Sequence, residues 1–139
     1  MFAPTTEVSD HLGNRVAVSH VVRGANLMAR VAGRICASTV RKVGAVIDPV
    51  SVTLVVASGR RLAVAGRQGV FSRKGKEQPR WRMAVKLEVG DLLYTVDDGI
   101  LTVDRLVCTV HSSKPGEPWT TISSNKGSVF AEEILCRAS

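Results

Sequence analysis

Aromatic residues are scarce, at 4% of a chain of 139 residues. The core must therefore be built from aliphatic side chains, and an aromatic stacking platform for single-stranded nucleic acid is poorly supported. No run approaches the roughly 18 consecutive apolar residues of a membrane span. The N-terminus shows no basic region followed by an apolar run, so no signal peptide is expected. Cysteine is sparse as well. Cys36, Cys108 and Cys136 are an odd number at wide spacing, with no Cys-x-x-Cys and no Cys/His cluster. That pattern excludes a recognisable zinc site and offers no cofactor ligand set. One disulfide with a free thiol and three buried thiols both fit it, which leaves the redox compartment open. Helix signals are also weak, for no segment carries ten or more residues of clean helical periodicity.

Valine, turn residues and positive charge are plentiful instead. Hydrophobic residues make up 45% of the chain, enough for a packed core, and the length suits one domain spanning 1–139. Net charge is +7, and nine of the nineteen Lys/Arg lie between Arg60 and Lys86, where Glu77 is the only acid. Such a basic stretch suits an acidic partner or nucleic acid, or simply a solvated face. Strand signals dominate. Val52 to Val56, the Ser58-Gly59 turn and Arg61 to Val64 read as a hairpin. Leu92 to Val96, Asp97-Asp98-Gly99 and Ile100 to Val110 read as another, with Asp-Gly supplying positive φ. The two aspartates are therefore a turn signal and not a paired-carboxylate site. Short turns are expected at Val18–Val22 and Met83–Leu87, and loops at Ser72–Pro79 and Ser112–Pro118. His11, His20 and His111 each stand alone and read as surface or packing residues.

The chain also repeats itself. Arg23-Gly24-Ala25-Asn26-Leu27-Met28 recurs 66 residues later as Val89-Gly90-Asp91-Leu92-Leu93-Tyr94, and Arg15-Val16-Ala17-Val18 is echoed by Arg82-Met83-Ala84-Val85. Two related β-rich halves, about 1–71 and 72–139, imply an all-β structure built by duplication around a pseudo-two-fold axis. A small barrel of the oligonucleotide-binding type is not expected to carry such a whole-chain duplication.

Several segments, taken in order, resemble one family. Met1-Phe2-Ala3-Pro4, then Gly13-Asn14-Arg15-Val16, then Val22 to Met28 are similar to the opening of a Hint domain, the module shared by inteins and hedgehog autoprocessing domains. Leu54 to Phe71 resembles the hairpin that carries the family's Thr-x-x-His motif. Trp81, Ala84, Leu87 and Val89-Gly90-Asp91 resemble the Trp, Ala, Leu and Val-Gly-Asp that come after that motif. Lys126 to Phe130 with Glu133-Ile134-Leu135 resembles the last hairpin, closest to the hedgehog type. The resemblance spans essentially the whole chain. It implies a horseshoe-like all-β fold in which the first residue sits beside the end of the domain. It also implies self-cleavage, in which a first-residue cysteine attacks the preceding carbonyl by an N-to-S acyl shift.

The positions that such chemistry needs depart from the family pattern. Met1 stands at the nucleophile position, and a thioether has no proton to lose. Ala65 and Gln68 stand at the Thr-x-x-His positions, in Ala65-Gly66-Arg67-Gln68. Glutamine donates a hydrogen bond but passes no proton on near neutral pH. Hedgehog-type domains place an aspartate near Ala45, and the nearest here, Asp48, is out of register. Inteins end His-Asn, whereas this chain ends Cys136-Arg137-Ala138-Ser139. Cys136 lies near the place of a late family cysteine and otherwise reads as a buried structural thiol. The expectation is a Hint-type autoprocessing domain, monomeric, acting in cis on its own flanking polypeptide without a cofactor, with cleavage lost in this form. The alternative is a non-catalytic β scaffold that binds an acidic partner or nucleic acid through the Arg60–Lys86 surface.

Overall fold

A computed structural model of the chain describes residues 1–113 and 116–138, so Lys114 and Pro115 of the expected Ser112–Pro118 loop lie outside the described residues, as does Ser139. The regular structure of the described chain is almost entirely strand. The first half contains β1 (Glu7–Ser9), β2 (Arg15–Ala17), β3 (Asn26–Val31), β4 (Arg34–Ile47), β5 (Val50–Val56) and β6 (Arg61–Ala65). Then come β7 (Gly69–Arg73), β8 (Arg80–Met83), β9 (Leu92–Asp97), β10 (Ile100–Ser113), β11 (Pro118–Ser124), β12 (Ser128–Ala131) and β13 (Ile134–Arg137). Single 3-10 turns at Val18–His20 and Ala84–Lys86 stand at the two places where the sequence predicts short turns.

Tight turns set the strand registers. Val31 pairs with Arg34 across Ala32-Gly33, and Asp97 pairs with Ile100 across Asp98-Gly99. In both, the two turn residues have positive φ (50° and 77°; 49° and 75°), the conformation that matches the twist of a hairpin and that glycine adopts without strain.

The duplication is visible in the hydrogen bonds. Gly24 N–H donates to Val40 O at 2.8 Å and Val40 N–H to Ala25 O at 2.9 Å; 66 residues on, Gly90 N–H donates to Leu106 O at 2.8 Å and Leu106 N–H to Asp91 O at 2.8 Å. The long strands β4 and β10 each pair first with a strand of their own half, β3 and β9. Each then pairs with a strand of the other half: Val40–Ile47 with β11, and Leu106–Ser113 with β5. One extra residue bulges at each crossover, Arg41 in β4 and Val107 in β10. This reciprocal exchange interlocks the halves and is the physical content of the pseudo-two-fold.

The repeat reaches the N-terminus. Thr6 N–H donates to Ala3 O and Gln68 N–H to Ala65 O, both at 3.0 Å. Val18 N–H donates to Thr6 O at 2.7 Å and Ala84 N–H to Gln68 O at 2.8 Å. Ala3–Thr6 is thus the structural counterpart of Ala65–Gln68. Of the segment Leu54 to Phe71, expected to be a hairpin, the part through Ala65 lies in the β5–β6 hairpin, and the residues after it form a corner. β6 pairs with β5, whereas β7 pairs with β8, β9 and β13, so the chain changes partners at residues 66–68. The small residues Ala65, Gly66 and Gly69 allow the close approach: a side chain at Gly66 would meet Val50 and one at Gly69 would meet Arg137.

The core is aliphatic, as the composition requires. Val8, Val52, Leu54, Leu62, Val64, Val70, Leu93, Leu106 and Ile134 are fully enclosed, and burying each contributes roughly 1.5–3 kcal/mol. The few aromatics take special posts. Phe71, Trp81 and Tyr94 group on the opposite face, with ring centroids 5.0 Å apart around Phe71 and the Arg30 guanidinium 4.8 Å above it. The strands form a 10-stranded sheet with β6 at one edge and a 3-stranded sheet in the order β11-β4-β3, and Phe2 is buried where β6 and β11, an edge of each, come together.

Candidate functional site

The two ends of the described chain meet at one side chain. Phe2 forms a rung between the edges of both sheets. Its N–H donates to Thr120 O and its carbonyl accepts from Thr120 N–H, both at 2.8 Å, and it bridges Val64 on the other side. That seats Met1 against the Ala65–Gln68 corner, where Ala65 N–H donates to Met1 O at 3.2 Å. The Met1 α-amino nitrogen donates to Gln68 Oε1 at 2.6 Å. From the other direction β13 brings in Arg137, whose carbonyl accepts from Gln68 Nε2 at 2.8 Å, while Gly69 O accepts from the same nitrogen at 2.9 Å. Gln68 is only 2% exposed. Its amide orientation is set by these partners, since the oxygen must face the donor and the nitrogen the two carbonyls.

The electrostatics of the site are those of a largely buried, neutral cluster. Burial pushes the Met1 amino group down from 8.0 to about 5, a shift opposed by attraction to a Cys136 thiolate. Burial in turn pushes the Cys136 thiol up to about 12, opposed by the charge of the Met1 amine and by a backbone hydrogen bond at Ala131. At neutral pH the amine is therefore deprotonated, the thiol protonated and Gln68 uncharged. Cys136 is wholly buried and holds its proton at neutral pH. Ala65 is buried and contributes only backbone bonds.

Met1, Ala65, Gln68 and Cys136 are thus brought together. Asp48 is set one step away. It is buried at the end of β4, where its carboxylate accepts from Val50 N–H at 2.9 Å and from Arg67 Nε at 3.1 Å. Burial works to raise its pKa, but the Val50 N–H and the Arg67 guanidinium outweigh that and hold it below the ordinary value. Trp119 Nε1 donates to the Asp48 carbonyl at 3.0 Å. Asp48 thereby braces Arg67, the neighbour of Gln68. Ala45 faces Thr120 across β4 and β11, one strand from Phe2, and offers no carboxylate. His20 and His111 are exposed, and among the described residues neither bonds to Met1 or Gln68. The Arg137 carbonyl escapes sequence reasoning, because a backbone acceptor leaves no mark in the residue type.

The basic stretch is partly consumed internally. Arg60 pairs with Asp97, Asp104 and Glu133, Arg67 with Asp48, Lys74 with Glu88 and Asp91, and Arg82 with Glu77 and Asp91. Arg61, Lys76, Arg80 and Lys86 remain exposed. Cys36, Cys108 and Cys136 form no disulfide. Among the described residues no cluster of His, Cys, Asp or Glu is arranged to hold a metal, and no helix is long and apolar enough to cross a membrane.

No protein-family model matches the chain, and no curated protein matches it by sequence. Solved structures do match. The crystal structure of a DnaB intein from Synechocystis sp. PCC 6803 superposes with a TM-score of 0.84 at 14% identity, covering 99% of this chain and 97% of that one. This chain has the Hint fold. The PabCDC21-1 intein superposes with a TM-score of 0.86 at 13% identity, covering 99% and 98% of the two chains. The TvoVMA intein gives 0.81 at 14% identity, covering 99% and 97%.

Proposed function

We propose that residues 1–139 form a single Hint-type autoprocessing domain, acting in cis on its own flanking polypeptide as a monomer, whose cleavage chemistry is lost in this form. The reading is carried by one observation: Gln68 joins the Met1 nitrogen to the Arg137 carbonyl at 2.6 and 2.8 Å. This is the geometry for holding the nitrogen of a bond to be broken. In a chain continued upstream, that nitrogen would be a peptide N–H that donates to Gln68 equally well. The means of breaking the bond are missing. Met1 supplies no thiolate, Ala65 no hydroxyl, and Gln68 no transferable proton. Cys136 holds its proton to about pH 12. The kinship with hedgehog-type domains, closest in the last hairpin, belongs to the same reading.

Restoration tests it. Met1→Cys with Ala65→Thr and Gln68→His, placed behind an upstream reporter, should release the reporter in dithiothreitol. A folded triple variant that stays intact would count against the proposal.

A second reading keeps the scaffold for binding, through the exposed cations Arg61, Lys76, Arg80 and Lys86 of the Arg60–Lys86 surface. Binding of an acidic protein or nucleic acid there should weaken steeply with salt and fail on charge reversal at Lys76 and Arg80.

A further inference from the structure

The reciprocal exchange leaves an open edge on each long strand. On one side β4 pairs with β11 along Val40–Ile47. On the other, β3 accompanies β4 through Thr39, and the Gly24 and Ala25 backbone bonds Val40. Beyond the Arg41 bulge, no strand among the described residues pairs with that side. Thr120 spends its N–H and carbonyl on Phe2, so the opposite residue Ala45 directs its own groups away from β11. With the alternation of a strand, Val43, Ala45 and Ile47 present N–H and carbonyl groups to the open side.

Next to this edge lies a cleft of about 620 Å³ lined by Val21, Val22, Arg23, Arg41, Lys42 and Val43. Its apolar walls are uncovered, with Val22 64% and Val43 36% exposed. Arg23, Arg41 and Lys42 are exposed, and none makes an ion pair among the described residues. The counterpart edge on β10 has the same geometry but different chemistry. The residues 66 positions later are Val89, Val107 and Cys108 in place of the three cations, and Glu88 in place of Val22.

We propose that the open edge of β4 receives an extended acidic peptide as an added strand. Its backbone bonds Val43, Ala45 and Ile47, its apolar side chains enter the valine cleft, and its carboxylates meet Arg23, Arg41 and Lys42. Exposed edges recruit strands through backbone hydrogen bonds, and the flanking side chains choose among them. Complementary charge selects an acidic sequence here, and selects the β4 edge over the β10 edge.

The probe is a fluorescein-labelled peptide of alternating glutamate and valine, about eight residues long, titrated with the full chain at low salt and followed by polarisation. Saturable binding is expected, with no binding of the lysine–valine counterpart. Arg41→Glu with Lys42→Glu should weaken it by about tenfold or more. Ala45→Pro should abolish it while preserving the ladder to β11, because proline removes only the outward N–H. His111→Pro, at the same place on the β10 edge, should leave it unchanged. Should Ala45→Pro fail to fold, the amide resonances of Val43, Ala45 and Ile47 in the unaltered protein report the same contact, and must shift on titration. Absence of binding, binding that survives Ala45→Pro, or unmoved amides would overturn the proposal. So would a dimer in sedimentation that Ala45→Pro dissociates, since the edge would then serve a second copy of the chain.

Discussion

Gln68 and Arg137 lie 69 residues apart in sequence, yet the side chain of one donates to the backbone carbonyl of the other at 2.8 Å. With the Met1 nitrogen on the same amide at 2.6 Å, one buried residue links both ends of the described chain.

Removing that amide should be costly. Gln68→Ala leaves the Met1 nitrogen and the Arg137 carbonyl without side-chain partners in a partly buried site, which costs about 1–3 kcal/mol. Gln68→Glu should be worse at neutral pH, because a carboxylate oxygen would face the Gly69 and Arg137 carbonyls that now accept from Nε2. Urea unfolding of the two variants checks the order.

Stability should form a dome in pH. For the chain beginning at Met1, the amino group titrates at about 5 when folded and at its ordinary 8.0 when unfolded, so the unfolded state binds the proton more readily. Stability contributed by the neutral amine is therefore full above pH 8 and lost as pH falls towards 5, by at most about 4 kcal/mol at roughly 1.4 kcal/mol per pH unit. The Cys136 thiol titrates at about 12 when folded and at its ordinary 9.0 when unfolded. Its contribution is full below pH 9 and lost as pH rises towards 12. Asp48 adds a loss at lower pH, as its depressed carboxyl is protonated. Nα-acetylation should flatten the slope between pH 5 and 8, and Cys136→Ser should change the alkaline side. Thermal unfolding across pH reads both.

The Ala32-Gly33 turn offers a stabilising change. Ala32 is an exposed non-glycine residue at φ 50°, whereas its counterpart 66 residues on is Asp98 in Asp98-Gly99. Ala32→Asn should raise stability by about 0.5–1 kcal/mol, because asparagine tolerates the left-handed region in this type of hairpin turn. Differential scanning calorimetry checks it.

Phe2→Ala should destabilise by about 3–5 kcal/mol. It removes a ring buried in the main aliphatic core, where Phe2 is 1% exposed. The Met1–Gln68 contact should loosen with it, visible as faster exchange of the Gln68 side-chain amide protons.

Much of this is legible in the residues. Turn chemistry and β-branched runs mark the Val50–Ala65 and Leu92–Ser113 hairpins, and the recurrence of Gly24 as Gly90 marks the duplication. The expected hairpin from Leu54 to Phe71 holds through Ala65 and then turns a corner, because the partner exchange at residues 66–68 is decided by tertiary pairing. Only Gly66 and Gly69 hint at it, through the crowding that a side chain would meet there. The ends of β10 and β11 also run into the expected Ser112–Pro118 loop, because β5 and β4 supply long partners. At the site, the family resemblance points to Met1, Ala65 and Gln68, which lie together. The Arg137 carbonyl is hidden, and the coupling of Cys136 to the Met1 amine depends on depth that no sequence pattern records.

The most direct measurement is the intact mass of the unaltered chain fused behind an upstream peptide and held in excess dithiothreitol at neutral pH. A folded Hint site with Met1, Ala65 and Gln68 in place should leave the fusion at its full mass throughout. Release of the upstream peptide by breakage before Met1 would show that the chemistry survives, and that the site works through a group other than those named here.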